Sequence, residues 1–243
     1  MPLENLAPQG RIFAALDTTD AGRAVALARR LAGRIGGGKL GKEFFTANGP
    51  QGVREVSAVG LPVFLDLKFH DIPATVAAAV RAALPLKPFM INVHAQGGPE
   101  MMRAAAKAAL SAGDGRPLVL AVTVLTSLDG DDLKACGVDD EPETQVLRLA
   151  RLAKDCGLDG VVCSPLEAAL LRRELGGDFK LLAPGVRPHW AERDDQKRKL
   201  SPAAAVRAGA DWLVIGRPIS AAADPAAAAE KIVAEIAAET AIT

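Results

Sequence analysis

The chain has 243 residues, with 29 Lys and Arg balanced by 29 Asp and Glu, and 49% of its positions are hydrophobic. Zero formal charge argues against the long-range positive field expected of a nucleic-acid or anionic-membrane binder, and a half-apolar chain with 24% charged residues is not a disordered one. Three cysteines (Cys136, Cys156 and Cys163) with no Cys-x-x-Cys spacing indicate neither a disulfide framework nor a zinc site.

In chain order, short runs of Val, Ile, Leu and Phe alternate with longer Ala-rich stretches of helical spacing. The pattern predicts strands at 12–16, 39–41, 63–68, 89–94, 118–125, 160–163, 180–183 and 212–215. Helices are predicted near 20–33, 50–59, 74–84, 99–110, 143–156, 165–175, 202–208 and 225–236. Proline at or near a predicted helix start recurs at Pro50, Pro99, Pro165, Pro202 and Pro225, where its missing N–H leaves nothing unpaired. Gly60, Gly113, Gly157 and Gly209 follow helices as stops. Gly36-Gly37-Gly38 reads as a turn before the second strand.

Eight strand–helix units at about 30 residues each predict an α/β chain folded as a (β/α)8 TIM barrel, with residues 1–243 as a single domain. A doubly wound open sheet is the competing architecture, but no Gly-x-Gly-x-x-Gly follows the first strand. The N-terminus lacks a basic segment followed by an apolar one, so no signal peptide is expected. No run of about 18 apolar residues occurs either. The expectation is a soluble, cytoplasmic protein with no nucleic-acid or membrane partner.

A barrel of this kind places its chemistry at the C-terminal ends of the strands. The segment from Val63 to Pro73, Val-Phe-Leu-Asp-Leu-Lys-Phe-His-Asp-Ile-Pro, stands out there. Side chains alternate along a strand, so Asp66 and Lys68 share one face and Leu65 and Leu67 the other. The leucines suit the helix-facing layer, which leaves a carboxylate and an ammonium directed into the barrel mouth, with Asp71 following at the loop. A purely structural ion pair at the strand end is the alternative. A second cluster points to phosphate, with Arg187 after the seventh strand and Gly216-Arg217 after the eighth, the two loops that often bind phosphate in this fold. Between Val186 and Lys199 the chain is polar and without helical or strand pattern, which suits either a lid over an anionic ligand or a solvated loop. The three histidines, His70, His94 and His189, have no metal-ligand spacing, so no metal site is expected, and His94 is expected to be a packed, hydrogen-bonded residue beneath the site.

Leu65-Asp-Leu-Lys-Phe-His-Asp-Ile-Pro73 resembles the signature of the orotidine 5'-phosphate decarboxylase family, whose members make UMP from orotidine 5'-monophosphate. Further matches run along nearly the whole chain: Ala15-Leu-Asp17, Lys39-Leu-Gly-Lys-Glu43, Asn92-Val-His-Ala95, Ala121 to Ser127, Gly160 to Ser164, Pro184-Gly-Val-Arg-Pro188, Asp195-Gln196 and Val214 to Pro218. The resemblance implies a cofactor-free homodimer of the bacterial type. It implies a charged catalytic network of Lys39, Asp66 and Lys68 with Asp71 from the partner, and Lys68 as proton donor to C6 of the pyrimidine. It places Asp17, Lys39 and the partner's Thr75 on the ribose and Thr126 on the pyrimidine, with Arg187, Gln196, Gly216 and Arg217 in the phosphate region. His189-Trp190 and Arg193-Asp194 replace the small residues and glycine often found in the family's phosphate loop. The alternatives are a magnesium-dependent phosphosugar decarboxylase or synthase of the same barrel type, a lysine Schiff-base aldolase, or a barrel that only binds a phosphorylated metabolite.

Overall fold

The computed structural model describes residues 6–191 and 200–240. Eight parallel strands close into a barrel in sequence order: β1 (Ile12–Ala15), β2 (Gly37–Gly41), β3 (Val63–Phe69), β4 (Met90–His94), β5 (Leu118–Val122), β6 (Gly160–Val162), β7 (Lys180–Pro184) and β8 (Trp212–Ile215). The ring shuts through β8 against β1, where Ile12 faces Leu213 and Ala14 faces Ile215. Helices α1 (Ala21–Leu31), α2 (Lys42–Ser57), α3 (Pro73–Ala83), α4 (Pro99–Leu110), α5 (Gly130–Ala135), α6 (Pro142–Asp155), α7 (Ala168–Leu175), α8 (Pro202–Arg207), α9 (Arg217–Ser220) and α10 (Pro225–Thr240) complete the order. None of the described helices is long and apolar enough to cross a membrane.

Strand periodicity divides the apolar residues into two layers. Ile12, Ala14, Leu40, Leu65, Ile91, Val93, Leu181 and Leu213 face the helices, while Phe13, Phe64, Met90, Leu120, Val162, Leu182, Trp212 and Val214 fill the barrel. Phe89 closes the lower end, stacked on Phe13 at 5.9 Å and edge-on to Trp212 at 5.8 Å. The interior is therefore packed from below, and only its upper end is left for polar groups.

Several elements differ from the sequence reading. Gly37 and Gly38 lie within β2 rather than in a turn, because a side chain does not fit there: a Cβ on Gly37 would come within 2.1 Å of the Phe13 ring. Helix α2 begins at Lys42 and is kinked at Gly49 (φ 57°), so the proline at 50 starts its second half instead of the whole helix. Helix α7 starts at Ala168 rather than Pro165, since the Glu167 carboxylate accepts from the Ser164 N–H and holds a turn before it. Strand β5 ends at Val122, so Val124, Leu125 and Thr126 belong to the loop above the barrel. Helices α5 and α9 carry too few residues for periodicity to reveal them; α5 is set by Asp129, whose carboxylate accepts from the Asp131 and Asp132 N–H groups in a capping box.

Candidate active site

The parity that puts Phe64 inside the barrel puts Asp66 and Lys68 on the same face, higher up, and in the same way carries Phe13 to Asp17 and Met90 to Asn92 and His94. Asp17, Asp66 and Lys68, with Lys39 of β2, form one chain of alternating charge. Lys39 Nζ lies 2.7 Å from Asp17 Oδ2 and 3.3 Å from Asp66 Oδ2, and Lys68 Nζ lies 2.6 Å from Asp66 Oδ1. Gly41 makes room for it: its N–H donates to Asp17 Oδ1 at 2.9 Å, and a Cβ there would sit 2.6 Å from that oxygen and 2.9 Å from Lys39 Nζ.

Lys39 and Asp66 are each only 8% exposed. Taking charges out of water is costly unless each finds a partner, and here every member of the chain touches an opposite charge. For Asp66, burial opposes the ionised form, but the Lys39 and Lys68 ammonium groups and hydrogen bonds from Lys68 and Asn92 prevail and hold its pKa below the ordinary carboxylate value. The carboxylate therefore stays charged, and the site offers two ammonium groups fixed on either side of it.

The network floors a cavity of about 220 Å³, lined by Lys39, Phe64, Asp66 and Lys68 on one side and by Val122, Leu125, Thr126, Val162, Pro184 and Val214 on the other. An apolar wall opposite paired charges suits a ligand with an apolar face and a polar or charged group turned towards the lysines. A more polar hollow of about 360 Å³ adjoins it, lined by Asp17, Thr18, Thr19, Arg23, Glu43 and Arg217 among others. Asp17 belongs to the charge chain and to this second hollow.

The structure thus brings together Asp17, Lys39, Asp66 and Lys68, places Thr126 on the cavity wall and sets Arg217 at the adjoining hollow, at the start of α9 behind Gly216. Asp71 and Thr75 are exposed at the rim and stand apart from the network of their own chain; Asp71 accepts from the Ile72 N–H instead. The Arg187 N–H donates to Leu200 O at 3.0 Å, and Trp190 carries Lys231 over its ring at 4.5 Å. Gln196, Arg193 and Asp194 lie outside the described residues. His94 sits beside the site in ring contact with His70, and burial, followed by the nearby His70, Lys68 and Lys42, lowers its pKa to about 4. Cys163 is buried, and burial pushes its thiol far up, which suits packing rather than nucleophilic attack. Among the described residues no cluster of three His, Cys, Asp or Glu side chains is arranged to hold a metal ion.

Sequence reasoning missed Asn92 as a member of the site. It is fully buried, its amide N–H donates to Asp66 Oδ1 at 2.7 Å and its amide oxygen accepts from the Lys68 N–H at 2.8 Å. The available signal was an amide inside the apolar run Met90-Ile-Asn-Val93, on the inward parity of a strand that otherwise disfavours asparagine.

A closed parallel barrel whose mouth holds buried, alternating carboxylates and ammonium groups defines an enzyme of the (β/α)8-barrel class. Residues 10–232 match the model of the orotidine 5'-phosphate decarboxylase / HUMPS family, and the chain belongs to that family. It is 56% identical over 241 residues to the orotidine 5'-phosphate decarboxylase of Rhodospirillum rubrum, covering 97% of each chain. To that of Halorhodospira halophila it is 55% identical over 228 residues, covering 94% of this chain and 96% of the relative. The crystal structure of orotidine 5'-phosphate decarboxylase from Lactobacillus acidophilus superposes with a TM-score of 0.83 at 35% identity, covering 93% of this chain and 98% of that one.

Proposed function

We propose that this enzyme decarboxylates orotidine 5'-monophosphate to UMP and CO2 in pyrimidine biosynthesis, with Lys68 as the proton donor. The observation that carries the reading is the Asp17–Lys39–Asp66–Lys68 chain at the floor of an otherwise apolar cavity, in a chain 50–56% identical to relatives named for this reaction.

Loss of CO2 breaks the bond between C6 and the carboxylate carbon and leaves the electron pair on C6, with no adjacent carbonyl to take it up. The Lys68 ammonium, held by Asp66, stabilises that charge as it develops and delivers a proton to C6, so the C–H bond forms where the C–C bond broke; solvent returns the proton to the amine. Asp66 keeps the lysines in place, and its negative charge opposes a substrate carboxylate close by. Asp17 and Lys39 take the ribose hydroxyls, and Thr126 the pyrimidine. Arg187, Gln196, Gly216 and Arg217 take the phosphate, whose binding energy remote from C6 is used at the transition state. Asp71 and Thr75 complete the site of a second copy in a homodimer, which their exposure at the rim supports. We read residues 1–243 as one domain acting in the cytoplasm without metal or organic cofactor.

The test is an absorbance assay with orotidine 5'-monophosphate, with and without a chelator. Turnover unaffected by chelation is the expected result. Activity lost on chelation and restored by magnesium, or absent with this substrate and present with a phosphosugar acid, overturns the reading.

A further inference from the structure

Strands β3 and β4 are out of step at the site. Leu65 pairs with Ile91 and Phe69 with Val93, so four steps along β3 span two along β4. The excess is absorbed at Asp66, Leu67 and Lys68, and Lys68 adopts φ 54°, one of two non-glycine residues with positive φ among the described residues. A side chain with a Cβ enters that region at a cost and stays only where its surroundings compel it. The bulge also leaves the Lys68 N–H without a ladder acceptor, and the Asn92 amide oxygen takes that place at 2.8 Å. The same amide donates to Asp66 Oδ1, the oxygen that holds Lys68 Nζ. One fully buried side chain therefore grips the lysine at its backbone and, through Asp66, at its ammonium.

We propose that Asn92 is a positioning residue of the reaction: it holds the left-handed bulge that aims the Lys68 ammonium into the cavity. The inference rests on the reading of Lys68 as proton donor. Asn92 lines no part of the cavity, and its effect passes through Lys68 and Asp66. A loosened lysine still leaves the ribose and phosphate contacts in place, so binding and turnover separate.

The experiment measures kcat, KM and UMP affinity for Asn92→Ala, Lys68→Ala and the double variant, with Asn92→Asp as the isosteric control. Asn92→Ala is expected to lower kcat on the order of a hundredfold with KM and UMP affinity little changed, since a displacement of about 1 Å costs that much. The double variant is expected to turn over no more slowly than Lys68→Ala, because residues acting as one unit are not additive. Asn92→Asp, faced by Asp66 and Lys68 of β3, with Lys39 on the far side of Asp66, lacks the donor while ionised and regains it when protonated. Its kcat relative to the parent enzyme is therefore expected to rise as pH falls. Parent-like kcat in both variants, a further loss in the double variant, or a ratio independent of pH overturns the proposal. Near-normal turnover by Lys68→Ala overturns instead the reading on which it rests. Should Asn92→Ala not fold, the pH-dependent ratio of Asn92→Asp decides the matter.

Discussion

Lys68 Nζ lies 2.6 Å from Asp66 Oδ1, two residues back on the same strand. Strand alternation alone puts both side chains on one face, and the backbone is left-handed at Lys68 itself. The ammonium is thus held by a carboxylate beneath it and open to the cavity above. Lys68→Ala is expected to bind UMP and to lose turnover by about 10²–10⁴-fold or more, the range a positioned general acid supplies. Steady-state kinetics beside calorimetric titration with UMP checks both halves, and near-normal decarboxylation would rule out the mechanism.

Arg217 is exposed at the polar hollow that adjoins the charged floor. Loss of a charge-assisted hydrogen bond to phosphate costs about 1.5–3 kcal/mol, so Arg217→Ala is expected to raise KM or the UMP dissociation constant roughly ten- to a hundredfold. Arg29→Ala, on the exposed face of α1, serves as the control and is expected to leave both unchanged. Equal effects in the two variants would refute the phosphate assignment.

The separation of Asp71 from its own chain's network makes a homodimer testable by mixing. Co-expressed Lys68→Ala and Asp71→Ala chains form, in half of the dimers, one doubly damaged site and one intact site. Random pairing about a two-fold axis then restores about a quarter of the parent activity, although each variant alone is nearly inactive. No recovery in verified mixed dimers would place Asp71 outside the partner's site.

His94 sets a pH dependence of stability. Its native pKa of about 4, against an ordinary 6.5, means that between those values the unfolded chain takes up a proton that the native chain does not. Native stability is therefore highest above about pH 6.5 and falls on acidification towards 4. Asp66 acts lower down: its depressed pKa adds stability above the ordinary carboxylate range, lost as pH falls through the native value. Urea unfolding at pH 7.5 and 5 is expected to show a smaller pH effect in His94→Gln than in the parent; identical slopes would show that His94 contributes nothing.

Local chemistry was enough to expose much of this. Apolar runs at regular intervals marked the eight units, and parity along Val63–Phe69 put Asp66 and Lys68 on one face, because the alternation of side chains depends on nothing outside the strand. Motif resemblance pointed to Asp17, Lys39, Thr126 and Arg217 at the same end of the barrel. Gly37 escaped because its need is a neighbour's ring: the residue that demands a bare backbone there is Phe13, on another strand. Asn92 escaped for the same reason, since its partners are 24 and 26 positions away and meet it only after a slip in strand register.

By itself, then, the amino-acid sequence determined the repeat, the barrel and the residue types that carry charge, all consequences of periodicity and composition within a few neighbouring positions. Tertiary structure alone decided the register between β3 and β4, the left-handed backbone at Lys68 and the buried amide that holds it. Those depend on which strand lies beside which and at what height, and a polar group taken out of water must find its partner in that arrangement.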